Sequence, residues 1–395
     1  MPKQYFIEAG SFPELSYTEL LCVLESFNID RNIVTRYGEN IFLIKSEKLT
    51  EITIRNIFQR LGGAIRLGSI IENIDSFHTN SSEGTKLIFG ISILGEYKKE
   101  DSYFFKKLAN QIKRQLREYG ISSRFVLPIR REYALNTAQV IKNDILNKGF
   151  ELDIIRNKGQ EIYGQTILMQ DLKGFVDRDM DKPRIDIEMG MLPPKLARIM
   201  VNLTALQSGT IWDPFCGSGT IPMESAVLGF NFLASDIDPQ AVLNTDSNVK
   251  WLYKEEYITD TLYETFHFDI TKPNPEIVKK LKNTDIAAIV CEPFMGPPQT
   301  RILSELRAKE LLDDVRKLYR KLFELIDQKL EKRGIKVVLI IPSYKTDRGW
   351  STFSIRELVG KRWIIRNSYY SKDKDLKWSR KNSIITRNIF ILERS

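Results

Sequence analysis

Chemistry is concentrated at four places in the second half of the chain. The run Ile211-Trp212-Asp213-Pro214-Phe215-Cys216-Gly217-Ser218-Gly219-Thr220 brings a short apolar strand to an acidic residue. It then turns through two glycines and enters a helix over 220–228, closed by Gly229. Glycines in such a turn let the backbone approach a ligand where a Cβ would collide. A second strand, 231–235, runs into Asp236-Ile237-Asp238, with Asp236 nineteen positions after Gly217. A carboxylate there suits a ribose diol, because it can accept both hydroxyl hydrogens. A third short strand ends at Asp269. A fourth, 286–290, ends at Cys291-Glu292-Pro293-Phe294-Met295-Gly296-Pro297-Pro298. Polar groups at successive strand ends describe the ligand crevice of an open α/β sheet. A dinucleotide fits the pattern less well. Pro222 occupies the place of the third glycine of Gly-x-Gly-x-x-Gly, and Asp213 at the strand tip would repel a pyrophosphate.

These residues need a frame of alternating strands and helices, and the chain divides into four segments that can supply one. Over 1–78 the pattern reads strand 4–9, helix 17–27, a hairpin over 32–46 turning near Gly38-Glu39-Asn40, helix 49–61 and strand 65–74. A polar stretch at 75–85 interrupts it. Over 79–170 it reads strand 86–94, helix 102–119, strand 123–128, helix 137–146 and strands 150–156 and 161–170. In helix 102–119, Phe105, Leu108, Ile112 and Leu116 recur at helical spacing, while Lys106, Lys107, Lys113, Arg114 and Arg117 occupy the other face. Residues 171–190 are a charged connector. Over 191–395, two prolines open a helix, the four strand ends follow, and 300–333 is rich in helix. Strand 335–341 comes next, then two strands over 363–371 and 383–393 joined by 372–382.

Asp213 to Thr220 resembles the first motif of the class I AdoMet-dependent methyltransferases. It is closest to the branch that methylates exocyclic amino groups, whose motif reads Asp-Pro-Phe/Cys-Cys/Gly-Gly-Ser/Thr-Gly-Thr. The order of elements over 79–170, with Asn136-Thr137-Ala138-Gln139-Val140-Ile141-Lys142-Asn143, resembles the THUMP RNA-binding domain. Arg178-Asp179, Pro183-Arg184 and Met191-Leu192-Pro193-Pro194-Lys195-Leu196-Ala197 resemble the segment before the catalytic fold in the THUMP-containing tRNA guanine-N2 methyltransferases of archaea and eukaryotes.

The resemblance implies a Rossmann-like class I sheet closed by an antiparallel C-terminal hairpin, preceded by α+β N-terminal and THUMP-like domains. It implies AdoMet as cofactor and tRNA as partner, with methylation of a D-arm guanosine of the position-10 type. Asp213 would meet the cofactor's amine. Asp236, with Asp238 as alternative, would hold the ribose hydroxyls, and Asp269 would receive the adenine amino group. Pro194, Phe215, Gly217, Gly219, Thr220 and Ile237 complete the expected cofactor contacts. The five basic residues of helix 102–119 would meet phosphates.

Glu292-Pro293-Phe294 stands where the amino methyltransferases carry Asp/Asn/Ser-Pro-Pro-Tyr/Phe/Trp. Glu292 and the Pro293 carbonyl would accept the hydrogens of the target amine, and Phe294 would stack on the extruded base. The chain departs from the pattern twice. Glutamate replaces aspartate, and Phe294-Met295-Gly296 puts the aromatic ring one position early. A DNA adenine or cytosine amino methyltransferase, and an RNA-binding protein that keeps the fold without turnover, are the rival readings.

Composition bounds the rest. At 395 residues, two or three domains are expected. A net charge of +8 fits a polyanionic partner. The three cysteines, Cys22, Cys216 and Cys291, and two histidines, His78 and His267, form neither a zinc pattern nor a disulfide framework. Cys216 and Cys291 read as small strand-end fillers. No apolar stretch reads as a signal segment or a membrane span, so the expectation is a cytoplasmic protein without a metal. Whether a small activating protein partner is needed is left open.

Overall fold

A computed structural model describes residues 3–76, 86–98, 101–129, 132–185, 191–330, 333–371, 375–380 and 382–395. His78, most of the polar stretch at 75–85 and part of the connector at 372–382 lie outside the described residues. The chain forms two compact units. One comprises 1–13, 30–59 and 64–172, the other 14–29, 60–63 and 173–395.

In chain order the first part runs β1 (Lys3–Ala9), α1 (Pro13–Ser26), β2 (Val34–Arg36), β3 (Ile41–Ser46), α2 (Glu51–Arg60), β4 (Ala64–Ile71), β5 (Leu87–Gly95), α3 (Asp101–Glu118), β6 (Ser123–Val126), α4 (Thr137–Lys142), α5 (Ile145–Lys148), β7 (Gly149–Asn157) and β8 (Gln160–Met169). The eight strands form one sheet in the order β2-β3-β1-β4-β8-β7-β5-β6. The sequence divides this half near residue 78, but the sheet runs across that point because β8 returns to pair antiparallel with β4. A buried charge cluster crosses the same seam. Arg66 of β4 donates to Glu8 (2.6 Å), Glu151 (2.7 Å) and Asp153 (2.8 Å).

Helix α3 buries Phe105, Leu108, Ile112 and Leu116 against Phe89, Ile91 and Phe150. Each such side chain contributes roughly 1.5–3 kcal/mol. Lys106, Lys107, Arg114 and Arg117 are exposed on its other face, and Lys113 is half-buried. The helix expected over 137–146 is two helices. Asp144 takes a left-handed φ of 54° between them, a conformation a short polar side chain tolerates.

The second unit continues with α6 (Leu172–Val176), α7 (Pro194–Asn202), β9 (Thr210–Asp213), α8 (Thr220–Val227), β10 (Asn231–Asp236), α9 (Pro239–Lys254), β11 (Tyr263–His267), α10 (Pro275–Asn283), β12 (Ile286–Cys291), α11 (Glu305–Leu325), β13 (Lys336–Thr346), β14 (Gly349–Ser351), β15 (Trp363–Ile365), α12 (Asn367–Ser371), β16 (Lys377–Trp378) and β17 (Ile385–Arg394). Its main sheet has the order β11-β10-β9-β12-β13-β17-β15. β9 to β13 are parallel, and β17 runs antiparallel between β13 and β15. This is the expected Rossmann-like sheet with its antiparallel closing pair. The strand order reverses between β9 and β12, so their carboxyl ends flank the ligand crevice.

Three expectations change within this unit. The strand read over 363–371 stops at Ile365, and α12 follows. Asn367 turns the chain there, its amide donating to the Ile389 carbonyl (2.7 Å) and accepting from the Ile391 N–H (2.8 Å). The first part of the charged connector folds as α6 and a π turn, Asp177–Asp181, and 186–190 lie outside the described residues. Arg178 in that turn and Arg198 of α7 both donate to the buried Glu224 of α8, at 2.5 and 2.7 Å. Finally, α1 belongs to this unit although it follows β1 in sequence. It starts at Pro13, proline suiting a first turn, and buries Leu15, Leu20, Cys22 and Leu24. Its Glu19 carboxylate accepts from the Gly62 N–H (2.7 Å), the Gly63 N–H (2.9 Å) and the Asn202 amide (2.7 Å). Among the described residues, no helix is long and apolar enough to cross a membrane.

Candidate active site

Strand β9 ends in Asp213, which is buried beyond the apolar pair Ile211 and Trp212. Its carboxylate accepts the Phe215 N–H at 3.0 Å. Burial pushes this carboxyl well above the usual range, and the negative Asp236 and Glu292 push it further. The loop then needs glycine twice. Gly217 has φ +52° and Gly219 φ +85°, and a Cβ on Gly219 would stand 2.9 Å from Thr245. Helix α9 holds the loop from outside. Thr245 donates to the Gly217 carbonyl at 2.9 Å, and Asn248 donates to the Ser218 carbonyl at 2.8 Å. Both are fully buried polar residues, three apart on one face of α9. That spacing was readable in the sequence, but nothing there tied it to the loop.

Asp236 closes β10 against the same loop. One oxygen accepts the Gly217 N–H and the other the Asp238 N–H, both at 3.0 Å. Burial raises its carboxyl pKa. Asp238, the alternative ribose ligand, caps α9 by accepting the Gln240 N–H at 2.9 Å. Asp269 lies two residues past the end of β11. One of its oxygens accepts from both the N–H (2.8 Å) and the hydroxyl (2.6 Å) of Thr271. Burial works against ionisation of Asp269, but these hydrogen bonds win and hold it below the usual carboxylate range.

The fourth strand end is built differently. Glu292 is the first residue past β12, and its Oε1 accepts the Nε–H of Arg387 at 2.6 Å. Arg387 sits on β17, opposite Pro342 of β13, so the pair reaches over a whole strand. Burial raises the Glu292 carboxyl, opposed by the guanidinium. Sequence reasoning missed Arg387, because only the register of β17 on β13 brings it here. The next residues are fixed by two tyrosines. Tyr319 of α11 donates to the Pro293 carbonyl over a long 3.5 Å, and Tyr344 of β13 donates to the Met295 carbonyl. Gly296 has φ +86°, and a Cβ there would lie 2.3 Å from the Tyr344 hydroxyl. Phe294 remains 54% exposed, so its ring is free to meet a flat partner.

These four strand ends surround one cavity of about 450 Å³. Asp213, Phe215, Gly217, Thr220, Asp236, Ile237 and Asp269 line it, together with Glu292, Pro293 and Phe294. Pro194 and Gly219 do not. Pro194 is the buried first residue of α7, and Met191 and Leu192 line the wall instead. Gly219 acts from behind, as the N-terminal cap of α8. Lys182, which sequence reasoning did not single out, is buried beside this helix end and donates to the Thr220 hydroxyl at 3.2 Å.

Five carboxylates, from Asp213, Asp236, Asp238, Asp269 and Glu292, line the cavity with no lysine or arginine among its lining residues. Such a wall suits a ligand that carries positive charge and hydroxyl hydrogens, and repels phosphates. Cys216 and Cys291 are buried, with thiols pushed well up by burial, which fits filling rather than nucleophilic attack. The five basic residues of α3 belong to the other unit.

Comparison with known proteins points the same way. The family of RMKL-like methyltransferase domains matches residues 182–272. The tRNA (guanine(10)-N2)-dimethyltransferase of Methanothermobacter thermautotrophicus is 28% identical over 207 residues, 52% of this chain and 50% of that protein. Its counterpart from Methanocaldococcus jannaschii is 35% identical over 109 residues, 27% of this chain and 29% of that protein. The chain thus spans half or less of these relatives' length. The crystal structure of TrmN from Thermus thermophilus superposes with a TM-score of 0.54 at 14% identity, covering 99% of this chain and 100% of that one. That likeness concerns the fold. Over residues 182–272, where the glycine loop and the acids Asp213, Asp236 and Asp269 lie, this chain is similar to the methyltransferase domains of that family.

Proposed function

We propose that this chain is an AdoMet-dependent tRNA methyltransferase acting on the N2 amine of a guanosine of the position-10 type. The observation that carries this is the acid-lined cavity at the strand ends, with Glu292 on its wall beside the cofactor-type acids. Two relatives named tRNA (guanine(10)-N2)-dimethyltransferases support the choice of substrate. Residues 79–170 are assigned as THUMP-like, with Lys106, Lys107, Lys113, Arg114 and Arg117 as phosphate contacts, so RNA affinity should fall with salt.

AdoMet, when bound, supplies an electrophilic methyl group on a sulfonium. The chain's residues do the rest. Asp213 faces the cofactor's amine, and Asp236 faces the ribose hydroxyls. Phe294 supports the flipped guanine. The N2 lone pair of guanine is delocalised into its ring, so the amine is a weak nucleophile. Transfer of that methyl group to the amine would leave positive charge on its nitrogen. The Glu292 carboxylate stabilises that charge and takes the departing proton. The Pro293 carbonyl, 3.5 Å from the Tyr319 hydroxyl, is the second candidate acceptor beside Glu292.

Transfer of tritium from methyl-labelled AdoMet to total tRNA and to genomic DNA tests the reading, followed by nucleoside mass spectrometry of the tRNA. Label in tRNA as N2-methylated guanosine is the expected result. Label in DNA favours the amino-methylating DNA enzymes, and no label in either favours a binding protein.

A further inference from the structure

We propose that Arg387 is a positioning residue for methyl transfer: its guanidinium anchors Oε1 of Glu292 from two strands away and leaves Oε2 turned to the acceptor amine. The inference rests on the reading of Glu292 as proton acceptor. Three observations support it. The Nε–H···Oε1 contact is 2.6 Å, in the range of a charge-assisted hydrogen bond. The side chains are only 15% and 19% exposed, so the pair is shielded rather than a solvated surface contact. The anchor comes from β17, whose position is set by eight register pairs with β13. Glutamate has one more rotatable bond than aspartate. A free glutamate at the end of β12 would sweep through several rotamers, and the ion pair selects one.

The groups around Glu292 make Arg387 its one positive partner among the described residues. Asp213 faces it from β9 and Cys291 precedes it on β12. Tyr319 faces it from α11, and the Tyr344 hydroxyl from β13 lies against Met295. Each of these is neutral or negative. Without the guanidinium, a buried carboxylate beside Asp213 would hold its proton to higher pH, and a proton acceptor must be ionised to act.

The test is single-turnover methyl transfer to tRNA by the full chain from pH 5 to 9, for wild type, Arg387→Met, Arg387→Lys, Glu292→Gln and the Arg387→Met/Glu292→Gln pair. In Arg387→Met the acidic limb should move up by about one pH unit or more, so the rate falls about tenfold or more at mildly acidic pH and rises with pH toward a plateau below that of wild type. Arg387→Lys keeps the charge and should keep the wild-type limb, with a lower plateau. AdoMet affinity should stay within about twofold, because Arg387 is outside the cavity wall. In the Glu292→Gln background, Arg387→Met should have no further effect, as expected of residues acting through one another.

A uniform fall at every pH, or additive effects in the double variant, would overturn the proposal. Should Arg387→Met not fold, a shifted limb in Arg387→Lys overturns it as well. Infrared titration of the Glu292 carboxylate, isolated as the wild-type minus Glu292→Gln difference, needs no turnover. A wild type that transfers no methyl to tRNA ends the functional reading. The infrared titration still decides the Arg387 anchor, which is lost if that carboxylate titrates alike with and without the guanidinium.

Discussion

The two halves of the cavity are secured over very different distances along the chain. On the cofactor side each acid takes a hydrogen bond from its own neighbourhood, and Asp236 takes a second from the Gly217 N–H nineteen residues back. Asp213 accepts from Phe215, Asp236 from Asp238 and Asp269 from Thr271, each two residues on. At the acceptor corner the partners come from afar. Tyr319 lies 26 residues from Pro293, Tyr344 49 from Met295, and Arg387 95 from Glu292. The cofactor-side turns form with their own strands, and the glycine loop is braced in addition by Thr245 and Asn248 of α9. The acceptor corner depends on α11, β13 and β17 all packing correctly. On the proposed reading, cofactor binding is therefore expected to be the more robust property of this site and turnover the more fragile one.

The largest test of that contrast is Glu292→Gln. It should lower single-turnover transfer by about 10²-fold or more, the scale of a lost general base, while AdoMet binds as before. A variant as fast as wild type would remove Glu292 from the chemistry and erase the division between the halves. Next come Asp213→Ala and Asp236→Ala. Each should weaken AdoMet binding by about 1–3 kcal/mol, the cost of losing a hydrogen bond to a charged group. Calorimetry giving unchanged affinity in both would move the cofactor site elsewhere.

A glycine pair sharpens the comparison further. Both Gly219→Ala and Gly296→Ala force a left-handed residue to carry a Cβ into a neighbour, Thr245 or the Tyr344 hydroxyl. Each should cost roughly 1–3 kcal/mol of stability in thermal unfolding. The functional losses should separate. Gly219→Ala should weaken cofactor binding, and Gly296→Ala should slow transfer with affinity intact. If both variants lose both properties alike, the halves are not independent.

The smallest effect is on pH dependence. Asp213 and Asp236 have carboxyl pKa values raised by burial, so part of each population holds a proton as pH falls toward the acid range. A cationic ligand binds the ionised forms, so AdoMet affinity should rise with pH, by at most about tenfold per pH unit for each proton released. Isothermal titration from pH 5 to 8 showing constant affinity would mean these acids do not face the cofactor's charge.

How far the site was legible follows the same division. The sequence by itself determined the strand-turn-helix of the glycine loop, the acids that follow it in order and the antiparallel end of the sheet. The glycine loop is written in adjacent residues, where spacing dictates geometry, while the later acids and the closing pair are expected from the order of motifs and the family resemblance. The sequence also marked the amphipathic face of α3. Only the tertiary structure decided that β8 joins β4 into a single eight-stranded sheet, and that α1 leaves its sequence neighbours to set Glu19 on Gly62, Gly63 and Asn202. Only the tertiary structure turned Arg387 onto Glu292. The physical reason is common to all three. A partner chosen by sheet register or helix packing is a neighbour in space whose place along the chain follows from the whole fold, and no local pattern of residue types encodes it.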